Sequence, residues 1–106
     1  MRTSKRKQLE RAGFKVGGVQ ELLHLSDEEM ALIDLKARLV VMLKSVRQRS
    51  GTTQQALARL IGSSQSRVAK MEAGDADVSL DLICRALFAM KVPRGEIART
   101  IAKRAA

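Results

Sequence analysis

The sequence predicts an all-α domain, and three observations carry that reading. The chain is 45% apolar but holds only two aromatic residues, Phe14 and Phe88, so its core must be aliphatic, drawn from Leu, Ile, Val, Ala and Met. Ala, Leu, Met, Arg and Lys are also the strong helix formers. There is one proline, Pro93, and no run of alternating Val, Thr or Tyr, so a sheet has little to build on. At 106 residues the chain is long enough to close one hydrophobic core without a disulfide or metal staple.

The elements follow in chain order. The first eight residues are charged and aperiodic and read as a basic arm. Gly13, Gly17 and Gly18 bracket Phe14, Lys15 and Val16, which reads as a short extended piece able to pair with a symmetry mate. The spacing of Val19, Leu22 and Leu23 predicts a brief helical turn over 19–25, and His24 reads as a turn residue. Ser26, with Glu29 three residues on, is a capping box, in which the Ser hydroxyl accepts from the N3 amide while the Glu reaches back. A long helix is therefore expected over 27–50, apolar at Leu32, Leu35, Leu39, Leu43 and Val46 and stopped by Gly51. Ile33, Ala37 and Val41 make a second apolar stripe that one core face does not require. Either the N-terminal segment or a second subunit is expected to cover it.

Thr53 caps the next helix, which is apolar at Ala56, Leu57, Leu60 and Ile61 and ends at Gly62. Ser64 caps another, in which Val68 and Met71 face inward and Gln65, Ser66, Arg67 and Lys70 do not; Gly74 ends it. Ser79 caps a helix expected to carry Leu80, Ile83, Cys84, Leu87 and Phe88 on one face, and Pro93 opens a last one presenting Ile97 and Ile101. Cys84, among Leu82, Ile83 and Leu87, reads as a small core residue.

Charge narrows the function. Lys and Arg number 20 against 11 Asp and Glu, a net +9, which calls for an anionic partner. The distribution is uneven: residues 17–35 hold five acids and no base, whereas residues 36–71 hold eight bases and no acid. That second block coincides with two short helices separated by a glycine turn, the unit whose second helix can enter a groove about 12 Å wide. Counting Gln54 as the first residue of the motif, small Ala58 is fifth, Gly62 ninth, Val68 fifteenth and Met71 eighteenth. The small fifth residue lets the helices cross closely, the glycine makes the turn, and the last two bury the second helix.

The segment from Gly51 to Gly74, GTTQQALARLIGSSQSRVAKMEAG, resembles the lambda-repressor-like or XRE family of helix-turn-helix proteins. The resemblance implies a five-helix domain, here over about Leu39 to Ile97, carrying an N-terminal extension. Ser63 departs from the apolar residue usual in the turn. The resemblance also implies that Gln54 binds phosphate and braces the reading residue Gln65, and that Arg47 and Glu72 pair beneath the reading helix. Base chemistry agrees, since Gln can pair bidentately with adenine N6 and N7 and Arg or Lys with guanine O6 and N7. Gln65, Ser66, Arg67 and Lys70 are the expected readers, on a helix whose start is capped by Ser64. Arg49, Arg59 and the amides near Gln54 are expected at phosphates, which hold register without reading sequence.

Residues 1–35 are accordingly expected to form the extension and 36–106 the domain that binds double-stranded DNA, as a homodimer acting as a repressor. The stretch GFKVGGVQELLHLS ahead of the capped helix is similar to the HigA-type antitoxins, which implies an alternative role in repressing its own operon and neutralising a small RelE-like toxin protein. Catalysis is not expected: His24 is the only histidine, and no Cys, His or carboxylate cluster has metal or nucleophile spacing. Asp75, Asp77 and Asp81 are too sparse for a calcium loop, and no cofactor is foreseen. A lone cysteine and the lack of a signal-like or spanning apolar run point to the cytoplasm and away from a membrane.

Overall fold

A computed structural model of the protein describes residues 16–103. They form six α-helices: α1 (Val16–Leu22), α2 (Asp27–Arg49), α3 (Gln54–Leu60), α4 (Gln65–Glu72), α5 (Leu80–Ala89) and α6 (Arg94–Ala102), with no strand among the described residues. The all-α expectation holds. The chain divides into two units, one ending at Leu32 and the other beginning at Ile33.

In the first unit, α1 begins three residues earlier than the spacing predicts, and Val16, expected in an extended piece, opens the helix. Gly17 and Gly18 lie in its first turn, where backbone amides have no intrahelical partner and the absence of a side chain is tolerated. Phe14 and Lys15, with the basic arm, lie outside the described residues. His24 takes a left-handed conformation, φ 56°, which histidine adopts more readily than most non-glycine residues. The capping box forms as read: Glu29 N–H donates to Ser26 Oγ at 3.1 Å, and Ser26 N–H donates to Glu29 Oε1 at 2.8 Å.

In the second unit, Leu39, Leu43, Leu57, Val68, Met71, Ile83 and Leu87 are almost wholly buried in one aliphatic core. The helix starts are those the hydroxyl residues announce. Thr53, Ser64 and Ser79 each accept a backbone N–H three residues on, at 3.0, 3.1 and 3.1 Å. Gly51, Gly62 and Gly74 end their helices with φ of 71°, 64° and 84°. At Gly62 an added Cβ would meet nothing within 4 Å, so the glycine answers to backbone conformation alone. Gly62→Ala should lower stability by about 1–2 kcal/mol, the left-handed penalty, with no clash added, and thermal unfolding reads it.

Four apolar positions expected inside are substantially exposed: Leu32, Leu60, Phe88 and Ile101. On α5 the buried residues are Leu82, Ile83, Ala86 and Leu87. The stripe is thus centred about one residue, or about 100°, from the set ending in Phe88, and small Ala86 takes the place expected for the ring. Leu60 closes α3 beside Arg59 while its neighbour Ile61 turns inward. The second stripe on α2 remains open, with Ile33 42% and Val41 69% exposed.

Candidate nucleic-acid interface

α3 and α4 pack against each other, and α3 packs against α5. Val68 and Met71 on α4 are fully buried, as are Leu57 and, nearly, Ala58 on α3. This anchoring leaves Gln65, Ser66, Arg67 and Lys70 exposed on α4. Helical geometry requires the result: with one face of an eight-residue helix pinned by Val68 and Met71, Gln65, Ser66, Arg67 and Lys70 fall on the faces turned away from it.

Beneath α4 lies a buried ion pair. Arg47, at the end of α2, donates from Nε to Glu72 Oε2 at 2.6 Å and from Nη2 to Glu72 Oε1 at 2.8 Å, a bidentate fork. Its Nη1 donates to the carbonyl of Thr52 at 2.9 Å. The Glu72 side chain is 2% exposed. Burial alone would raise its pKa, but hydrogen bonds from Arg47 and Gln54, with the charges of Arg47 and Lys44, outweigh it and hold the carboxyl below its ordinary value. The Arg47–Glu72 pair that the resemblance implied is present.

So is the brace. Gln65 Nε2 donates to Gln54 Oε1 at 2.7 Å, joining the first residue of α3 to the first of α4. A further contact was not foreseen: Gln54 Nε2 donates to Glu72 Oε1 at 3.1 Å, so the brace and the ion pair are one connected network. Nothing in the local pattern signals this link, because it spans 18 residues and depends on how α3 and α4 cross.

Ser64, Ser66, Arg67 and Lys70 line a single open groove of about 350 Å³ together with Asp75, Asp77 and Val78 of the segment after α4. That segment is held by a bond from Asp77 N–H to Asp75 Oδ1 at 2.9 Å and by Lys36 Nζ donating to the carbonyl of Ala76 at 3.2 Å. The Ser64 hydroxyl is engaged in capping α4, accepting from Arg67 N–H. Arg59, in the last turn of α3, and Arg49, in the last turn of α2, are exposed. Neither lines that groove, and Arg49 Nε reaches only the Ser45 carbonyl, at 3.4 Å. Among the described residues no helix is long and apolar enough to cross a membrane, and no group of three His, Cys, Asp or Glu is placed to hold a metal ion.

A glycine turn between two short helices, the second pinned by its inner face and presenting polar and basic side chains, is the architecture of a helix-turn-helix DNA-binding domain. Comparison with protein families agrees: residues 38–100 match the helix-turn-helix domain family, and the chain belongs to it. No curated protein matches the chain, and no solved structure does.

Proposed function

We propose that the protein is a sequence-specific transcriptional regulator of double-stranded DNA, a repressor working in the cytoplasm, whose helix α4 enters the major groove. The observation that carries this reading is the placement of Gln65. It stands exposed at the start of α4, braced by Gln54, on a helix whose opposite face is locked into the core by Val68 and Met71. A reading side chain must be held before it meets its base, because ordering a free glutamine on binding costs affinity. Ser66, Arg67 and Lys70 extend the reading face, Ser64 sets its start, and Arg49, Arg59 and Gln54 serve phosphates. Two copies act on a two-fold symmetric operator with half-sites about 34 Å apart, since one such helix reads only a few base pairs.

Readers and backbone clamps leave different signatures in one titration. Gln65→Ala should lower operator affinity by about 1–3 kcal/mol and leave binding to scrambled duplex nearly intact, because only base edges carry the sequence. Arg59→Ala should weaken every duplex alike and reduce the salt slope by about one unit, as one counterion fewer is released. Both variants are titrated against operator and scrambled duplex at several salt concentrations. Equal weakening of both duplexes by Gln65→Ala would remove α4 as the reading element.

A further inference from the structure

The hydrogen bonds from Arg47 to Gln65 form a directed chain, and its direction is set by the one member with no proton to give. The Glu72 carboxylate accepts both forks of Arg47, and its Oε1 also accepts from Gln54 Nε2 at 3.1 Å. An ionised carboxylate can only accept. Gln54 must therefore turn its amide nitrogen inward, which leaves its Oε1 to accept from Gln65 Nε2 at 2.7 Å. Gln65 in turn has one N–H engaged, and among the described residues its Oε1 and second N–H have no partner, so they are offered in a fixed order. Neither glutamine can be flipped alone without setting two donors or two acceptors face to face.

We propose that Glu72 is a positioning residue for sequence specificity: acting through Gln54, it fixes the order of acceptor and donor that Gln65 presents and so commits that contact to adenine. The inference rests on α4 being the groove-reading helix. In the major groove adenine offers the N6 amine as donor and N7 as acceptor. A glutamine edge matches that pair in one order, with its oxygen at N6 and its nitrogen at N7. In the reverse order oxygen meets N7 and the amide nitrogen meets the N6 amine, and both contacts are lost. Guanine, with acceptors at both N7 and O6, engages only the amide nitrogen in either order. Burial makes the setting firm. With its side chain 2% exposed, Glu72 has almost no access to water that could replace the Gln54 amide.

Duplexes enriched from a randomised pool by the wild-type protein define the operator, and the position at which Gln65→Ala loses its base preference marks the Gln65 contact. At that position two further variants should each lower the adenine preference about tenfold, within the range of one bidentate pair, and leave the other positions unchanged. Gln54→Met removes the relay and keeps the Arg47–Glu72 pair, so it should stay folded, melting below the wild type only by the loss of one hydrogen bond to a carboxylate oxygen that Arg47 still serves. Glu72→Gln keeps the side-chain shape but can offer Gln54 either an oxygen or a nitrogen. Were Glu72 and Gln54 only structural, the variants would bind every duplex more weakly while adenine stayed preferred. That outcome in folded Gln54→Met overturns the proposal. If Gln65→Ala itself leaves the enriched sequence unchanged, the reading of α4 fails and the relay goes with it. If Gln65→Ala changes the enriched base and Gln54→Met does not, the relay alone fails.

Discussion

Glu72→Ala should unfold the domain at moderate temperature, with a loss of about 3–5 kcal/mol, because it strands a buried charge. Arg47 would keep only the Thr52 carbonyl of the partners it has now, and its side chain is 11% exposed. A small domain has about 5–15 kcal/mol of stability in total, so this one change takes a large share of it. Replacing both partners by apolar residues, Arg47→Met with Glu72→Leu, should recover much of the loss, since no charge is then left unpaired. The pair also sets the acid limb of stability. The folded Glu72 carboxyl lies below the ordinary glutamate value of 4.5, so the unfolded chain binds its proton first as pH falls. The contribution is whole above that value and is lost as pH falls through the lower, folded one. Melting temperature should therefore fall more steeply in the wild type than in the apolar double variant once pH drops below 4.5. Parallel curves for the two proteins would show that the pair is not what acid breaks.

The sequence made the local steps of this fold legible and left the tertiary ones obscure. Ser26, Thr53, Ser64 and Ser79 announce helix starts, and Gly51, Gly62 and Gly74 announce stops, because capping and left-handed φ are settled within three or four residues. Lys91 is the instructive exception. It adopts φ 65° at the end of α5, where the chain carries no glycine to mark the stop. Phe88 misled because two overlapping stripes on α5, one ending in Leu87 and one in Phe88, both satisfy helical spacing. Only the packing of neighbouring helices chooses between them. At the site, Gln65 and its brace to Gln54 were within reach of the motif. The link from Gln54 to Glu72 was not, since residues 18 apart meet only once α3 and α4 have crossed.

If the proposed homodimer closes through this face of α2, Val41→Glu, alone or with Ile33→Glu, should leave a monomer of 11.6 kDa and lower operator affinity by about 10²–10⁴-fold. Ile33, Ala37 and Val41 recur every fourth residue on α2, and all three are exposed. Beside them runs an open groove of about 480 Å³ lined by Ala37, Arg38, Val41, Met42, Ser45, Thr100 and Lys103. A two-fold axis beside Ala37 would set Val41 of each copy against Ile33 of the other, with the small alanine letting the backbones approach. Such an interface is isologous, the same patch on both copies, and Arg38 beside the axis already pairs with Asp34 of its own helix at 2.8 Å. The size of the expected loss comes from linkage rather than contact. Once one half-site is bound, the second reading helix acts at the effective concentration its tether allows, and a monomer forfeits that gain while keeping every base contact. Affinity for a single half-site should therefore be unchanged in Val41→Glu, and so should the melting behaviour of the monomeric fold, because a charge on an exposed helix position disturbs stability by only about 0.5 kcal/mol. Sedimentation gives the mass, and titration against full and half operators gives the affinities. If the double variant sediments and binds as the wild type does, this face of α2 is not the seam, and the second copy must be held elsewhere.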